Sequence, residues 1–240
     1  MSSNDTCIIN TEKQKTNKSR GKNCLKNGLI YQDKIYNKLK NKLINGVPIE
    51  LVQVEKSNSG PDLVIKYGNE KIGVEVKNKK AFEGGSRKMK FDKSKSRLVF
   101  DKDTIHASLL NDTCIYEGKN LPYYEGKKSN EDYEKVKAIF SKDEYIVITS
   151  NMVSVYYMST GVYYIQIEGF GLYHTGNDIL NLGVPFFECN QCLRIRTSKH
   201  KNKRGIPTDV VGDLNYDKKT LTKSTYDIDG NMPPNIKQVE

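Results

Sequence analysis

Asp62, Glu75 and Lys77 are the residues whose types and spacing could do chemistry. They lie within Ser59 to Lys80, where two apolar, β-branched runs flank the turn dipeptide Gly68-Asn69. That pattern predicts a β-hairpin. With Gly68-Asn69 as the loop, residue 67 pairs with 70, 66 with 71, 64 with 73 and 62 with 75. Asp62 then stands across from Glu75, with Cβ atoms about 4.5–5.5 Å apart. Lys77 shares their face, because side chains alternate along a strand. Leu63, Ile65, Ile72, Val74 and Val76 form the other, core-facing set. Two opposed carboxylates destabilise a strand pair, so the arrangement calls for a cation and points to a metal. Mg²⁺ is typically held by one or two carboxylates and keeps several waters. There it acts as a Lewis acid and lowers the pKa of bound water, as phosphodiester hydrolysis requires. Lys77 can orient the water or stabilise charge on the phosphorane. Adjacent carboxylates keep it protonated, so it is no free general base.

Gly60-Pro61-Asp62, followed after twelve residues by Glu75-Val76-Lys77, resembles the Pro-Asp…(Asp/Glu)-X-Lys motif of the PD-(D/E)XK nuclease superfamily. The resemblance covers roughly residues 24–150. It implies an α/β fold with a mixed central sheet flanked by helices, the restriction-endonuclease-like αβββαβ core. It also implies Asp62 and Glu75 as ligands of Mg²⁺ (with Mn²⁺ as a substitute), the Val76 carbonyl completing the shell, and Lys77 as catalytic lysine. Many members carry a glutamate on the preceding helix in a Gly-x-x-aromatic-Glu pattern. Here Gly28-Leu29-Ile30-Tyr31 leads instead to Gln32, a supporting residue without charge, which leaves one metal or two open.

The elements around the hairpin follow from periodicity and breakers. Residues 1–22 are polar and read as a disordered basic tail. Leu25, Leu29, Gln32, Ile35, Tyr36, Leu39 and Leu43 recur at helical spacing up to the stop at Asn45-Gly46-Val47-Pro48. Ile49 to Glu55 is a first strand, and the hairpin supplies the next two. Residues 78–97 are strongly basic, with Gly84-Gly85 giving local flexibility. A helix is expected from about Ser94 to Leu110, a loop over 111–130 and a second helix from Asn130 to Phe140. Tyr145 to Thr149 reads as a buried strand returning to the hairpin's sheet. Val153–Met158 and Val162–Glu168 are aromatic and β-branched, and a short helix is expected near Asp178–Leu182. Cys192 to Thr197 alternates as a strand with Arg194 and Arg196 on one face. The nuclease-type domain is thus drawn over residues 23–198, and 199–240 as a polar C-terminal extension.

Composition points to a polyanionic partner. The formal net charge is +10, from 39 Lys and Arg against 29 Asp and Glu, which favours DNA. Lys79, Lys80, Arg87, Lys88 and Lys90 follow the hairpin directly and are candidate phosphate contacts. Arg194 and Arg196 could meet bases or phosphates. The five cysteines do not form a disulfide framework. Cys189 and Cys192 have zinc-ligand spacing with His200 nearest, or are ordinary thiols. His106 and His174 read as structural or surface residues. No apolar run approaches the roughly 18 residues of a membrane span, and the polar N-terminus resembles no signal peptide. The expected protein is intracellular and soluble, and has no membrane partner. The expected function is a metal-dependent DNA endonuclease, restriction-like or resolvase-like, working as a homodimer if it cuts both strands. The alternatives are an exonuclease or RNA-cutting nuclease of the same fold, and a non-catalytic nucleic-acid-binding module.

Overall fold

The computed structural model describes residues 26–54, 60–79, 83–92, 97–100, 131, 134, 138, 144–197 and 210–239. The N-terminal tail, Lys80, His106, the 111–130 segment and His200 lie outside the described residues. The fold is mixed α/β, with several sheets and few helices.

The hairpin forms in the expected register. β4 (Leu63–Tyr67) and β5 (Glu70–Lys77) pair from Tyr67↔Glu70 to Leu63↔Val74. Its apolar face is core: Leu63, Ile65, Ile72, Val74 and Val76 are all buried. β3 (Glu50–Gln53) adds antiparallel to β4. β9 (Val162–Ile167) lies parallel to β5 on the other side, and β10 (Gly171–His174) closes the five-stranded sheet.

Helix α1 (residues 26–39) covers the apolar face of this sheet with Tyr31, Ile35 and Leu39, one every four residues. The helix ends earlier than the sequence suggests, where Asn41 takes a positive φ of 60°. Asn45 and Gly46, both at positive φ, are the turn of a hairpin between β1 (Lys42–Ile44) and β2 (Val47–Pro48), as the Asn-Gly pair favours. β13 (Ile236–Gln238) completes this small sheet beside β1.

A second five-stranded sheet runs in the order β7-β6-β12-β11-β8. β6 (Glu83–Asp92) and β7 (Arg97–Phe100) are strands where a flexible run and a helix start were expected. Gly85 is paired with Leu214 and Gly84 falls at the register shift beside it, so the pair lies within a strand. β8 (Glu144–Ile148) is the strand expected near Tyr145, but it joins β11 (Gln191–Thr197) in this second sheet and not the hairpin's. β12 (Val210–Tyr216) runs between β6 and β11. Residues 210–239, set apart as a polar extension by the sequence reading, therefore supply two strands. They also bring buried Leu214, Leu221, Ile228 and Ile236.

Helix α2 (Ser150–Ser159) connects the two large sheets. Its β-branched and aromatic residues are types that favour strands. Thr149 caps it, however, and Val153 and Tyr157 bury one side four residues apart. The turn expected to be a helix near Asp178 is held instead by the Asp178 carboxylate. That group accepts from the Tyr164 hydroxyl (2.6 Å) and from the Leu182 and Gly183 amides (2.9 and 2.7 Å).

Candidate active site

The polar face of the hairpin is built around Asp62, one residue beyond the last paired position of β4. Each of its backbone groups is tied down. Its N–H donates to the Val74 carbonyl (3.1 Å), and its carbonyl accepts from Val54 N–H (3.1 Å) and from Gln32 Nε2 (3.0 Å). Its side-chain Oδ2 accepts the Val76 amide at 2.8 Å. Gly73 makes this approach feasible. A Cβ there would stand 2.2 Å from the Gly161 carbonyl and 2.7 Å from Pro61 Cβ, so Pro61 folds flat over β5 and delivers Asp62 to its place.

Glu75 and Lys77 follow on the same face, and the Lys77 ammonium hydrogen-bonds Glu75 Oε1. Their side chains are 13% and 18% exposed. The parallel pairing sets Ile165 beside Glu75 and Ile167 beside Lys77, both fully buried. The charges therefore sit against an apolar wall. Burial, and next the Glu75 charge, push the Asp62 carboxyl up to about 6, against the pull of the Val76 amide and Lys77. Burial opposes the Lys77 charge, but Glu75, with Tyr216 and Asp62, more than offsets it and holds the ammonium above its ordinary value.

Gln32 is brought to the site by α1. It is 8% exposed and acts through its amide on the Asp62 carbonyl. Val76 touches Asp62 through its N–H. Two residues that sequence spacing did not signal complete the surroundings. Tyr157 of α2 and Tyr216 of β12 share a 2.8 Å hydroxyl–hydroxyl bond, both buried. Burial raises both phenols, and their fields reach Glu75 and Lys77. Nothing in the sequence links positions 59 residues apart.

The donor set suits a hard divalent cation: two carboxylates, Asp62 and Glu75, each with one oxygen not hydrogen-bonded to any described residue. A cation there would relieve the repulsion that raises Asp62. Among the described residues no group of three or more His, Cys, Asp and Glu has metal-holding geometry. Cys189 is buried, which pushes its thiol up to about 12, and burial also raises Cys192. Neither has thiolate character.

The basic candidates divide. Lys79 is exposed and next to the site, its amide donating to Glu168 at 3.1 Å. Arg87, Lys88, Lys90, Arg194 and Arg196 belong to strands of the second sheet. By register Lys88 and Arg196 flank Val211, and Arg194 lies opposite Asp213. Lys90 pairs with Val99 of β7. Arg87 pairs with Gly212. Reading residues 78–97 as a single basic run grouped Lys79, beside the first sheet, with residues of the second. No described helix is long and apolar enough to cross a membrane. In comparison with known proteins, the chain matches no family model, no curated protein and no solved structure.

Proposed function

We propose that this chain is a metal-dependent nuclease that hydrolyses phosphodiester bonds in DNA, with a restriction-endonuclease-like core formed by α1, β3, β4, β5, α2 and β9. The observation that carries the reading is the Asp62–Glu75–Lys77 group: two half-buried carboxylates on one strand face, with a single ammonium beside them. Asp62 and Glu75 would hold Mg²⁺ or Mn²⁺, which supplies Lewis-acid activation of water and of the scissile phosphate. Lys77, held protonated, hydrogen-bonds a phosphate oxygen or the attacking water and offsets charge as it develops. Gln32 fixes the Asp62 backbone and so aims its carboxylate. The apolar wall of Ile165 and Ile167 keeps bulk water from screening these charges. Lys79, exposed and next to the site, is the basic position best sited to meet the phosphate backbone. A homodimer would bring one such site to each strand of a duplex.

The test uses supercoiled plasmid and linear duplex with Mg²⁺, Mn²⁺ or EDTA, beside Asp62→Ala and Lys77→Ala. Closed circles should be nicked with metal, and nicking should fall at least a hundredfold in both variants. Degradation of linear DNA alone makes it an exonuclease, and cleavage confined to RNA makes RNA the substrate. Binding without any cleavage would leave a nucleic-acid-binding module in which the Lys77–Glu75 pair is only structural.

A further inference from the structure

The segment that follows β12 reaches the end of β5, although the two strands belong to different sheets. The Lys218 ammonium hydrogen-bonds the Lys79 carbonyl. Two residues earlier in each segment stand Tyr216 and Lys77. There the Lys77 charge acts on the Tyr216 phenol, against the burial that raises it. The ends of β5 and β12 therefore run side by side, which brings Lys218 to the Lys77 end of the site.

Lys218 sits on a fixed turn. The Asp217 amide donates to the Asn190 carbonyl (2.8 Å), and the Asn190 amide donates to Thr220 Oγ1 (2.8 Å). The Thr220 amide closes the turn on the Asp217 carbonyl (3.1 Å). An ammonium has three donors and a carbonyl has no net charge, so the bond to Lys79 places the Lys218 charge without cancelling it. The neighbouring acids Glu168 and Asp217 each accept a backbone amide, from Lys79 (3.1 Å) and from Lys219 (3.0 Å). Lys79 and Lys219 are exposed and Lys218 is half-buried, so this corner is basic and open to solvent. A cation already held in place has less freedom to lose on meeting an anion.

We propose that Lys218, held on the Lys79 carbonyl, contacts a DNA backbone phosphate next to the scissile one, so that the segment after β12 supplies part of the grip on the substrate. The proposal rests on the nuclease reading for the identity of the polyanion. Lysine meets a phosphate as a point charge. Such a contact adds affinity and fixes the position of the strand, and it reads no sequence.

Fluorescence anisotropy of the full chain with a short labelled DNA duplex in EDTA, over a series of NaCl concentrations, tests this. Lys218→Gln keeps an N–H donor for the Lys79 carbonyl and loses the charge. It should reduce the slope of log affinity against log salt by about 1, and weaken binding equally on duplexes of unrelated sequence. Lys218→Arg keeps the charge and should keep the native slope. Lys71→Gln removes the same charge near the Gly68-Asn69 turn, at the far end of the hairpin, and should leave the slope unchanged. An unchanged slope in Lys218→Gln, an equal fall in Lys71→Gln, or no binding by the native chain would overturn the proposal. Plasmid nicking with Mg²⁺ on the same preparation separates the two readings. Nicking with an unchanged slope discards the Lys218 contact alone. A reduced slope without nicking discards the nuclease and leaves a phosphate contact.

Discussion

At the scale of single residues, Asp62 is held in a state that costs stability. Its carboxyl is raised from the ordinary range near 4 to about 6. Between those values the folded chain binds a proton that the unfolded chain lacks. The Asp62 contribution to stability therefore falls as pH rises from about 4 to about 6, and stays low above that. Asp62→Asn removes the charge and keeps an oxygen for the Val76 amide, 2.8 Å away in the native protein. In EDTA at pH 7.5 the variant should melt several degrees above the native chain, with the gap closing towards pH 5. Added Mg²⁺ should raise the melting temperature of the native chain and leave that of the variant unmoved. Thermal melts across this pH range decide it, and a variant that melts lower at pH 7.5 sinks the argument. Gln32 carries a companion prediction. Gln32→Glu loses the donor to the Asp62 carbonyl and adds a third carboxylate beside two. It should lower the melting temperature in EDTA and show a larger Mg²⁺-induced rise than the native chain. An unchanged rise would place position 32 outside the metal's reach.

At the scale of elements, the hairpin depends on Gly73. A methyl group there meets the Gly161 carbonyl and Pro61 at distances no real Cβ tolerates, so Gly73→Ala must move the Pro61-Asp62 corner or the turn before β9. Overpacking of this kind costs about 1–3 kcal/mol. Cleavage should drop well beyond the loss of folded protein, since the displaced residue is Asp62 itself. Nicking rates at a temperature where circular dichroism shows the variant folded are the measurement, and a native rate would refute it. The same hairpin was the most legible part of the sequence. A tight turn and a strict two-residue period fix register locally, so residues 63 to 77 could be paired without a structure. α2 was illegible by composition, because Val153, Val155, Tyr156 and Tyr157 favour a strand. Thr149 as cap, the four-residue spacing of Val153 and Tyr157, and Gly161 at positive φ decide for a helix. The strand expected to return to the hairpin was correspondingly misplaced. β8 is a strand but belongs to the other sheet, and β9 takes the position parallel to β5.

At the scale of the whole molecule, the second sheet is held together by pairings that sequence spacing does not announce. Val210 pairs with Met89, and Asp217 meets Asn190 through its backbone amide. β12 hides its strand character behind Gly212 and Asp213. Such long-range ladders are why residues 210–239 looked like an extension. They also set Tyr216 against Tyr157, joining β12 of one sheet to the helix that leads into the other. That bond is a test of how the two sheets are coupled. In Tyr216→Phe the ring remains but the Tyr157 hydroxyl loses its buried partner, and Tyr157→Phe removes the same bond from the other side. Each single variant should cost about 1–3 kcal/mol, the penalty of breaking a hydrogen bond between buried groups. The double variant removes both hydroxyls together and should cost less than the sum of the singles, giving a coupling of about 1 kcal/mol or more in a double-mutant cycle. Urea unfolding of the four proteins supplies the cycle. Additive losses would mean that the two hydroxyls act independently, and that the sheets are joined by packing alone.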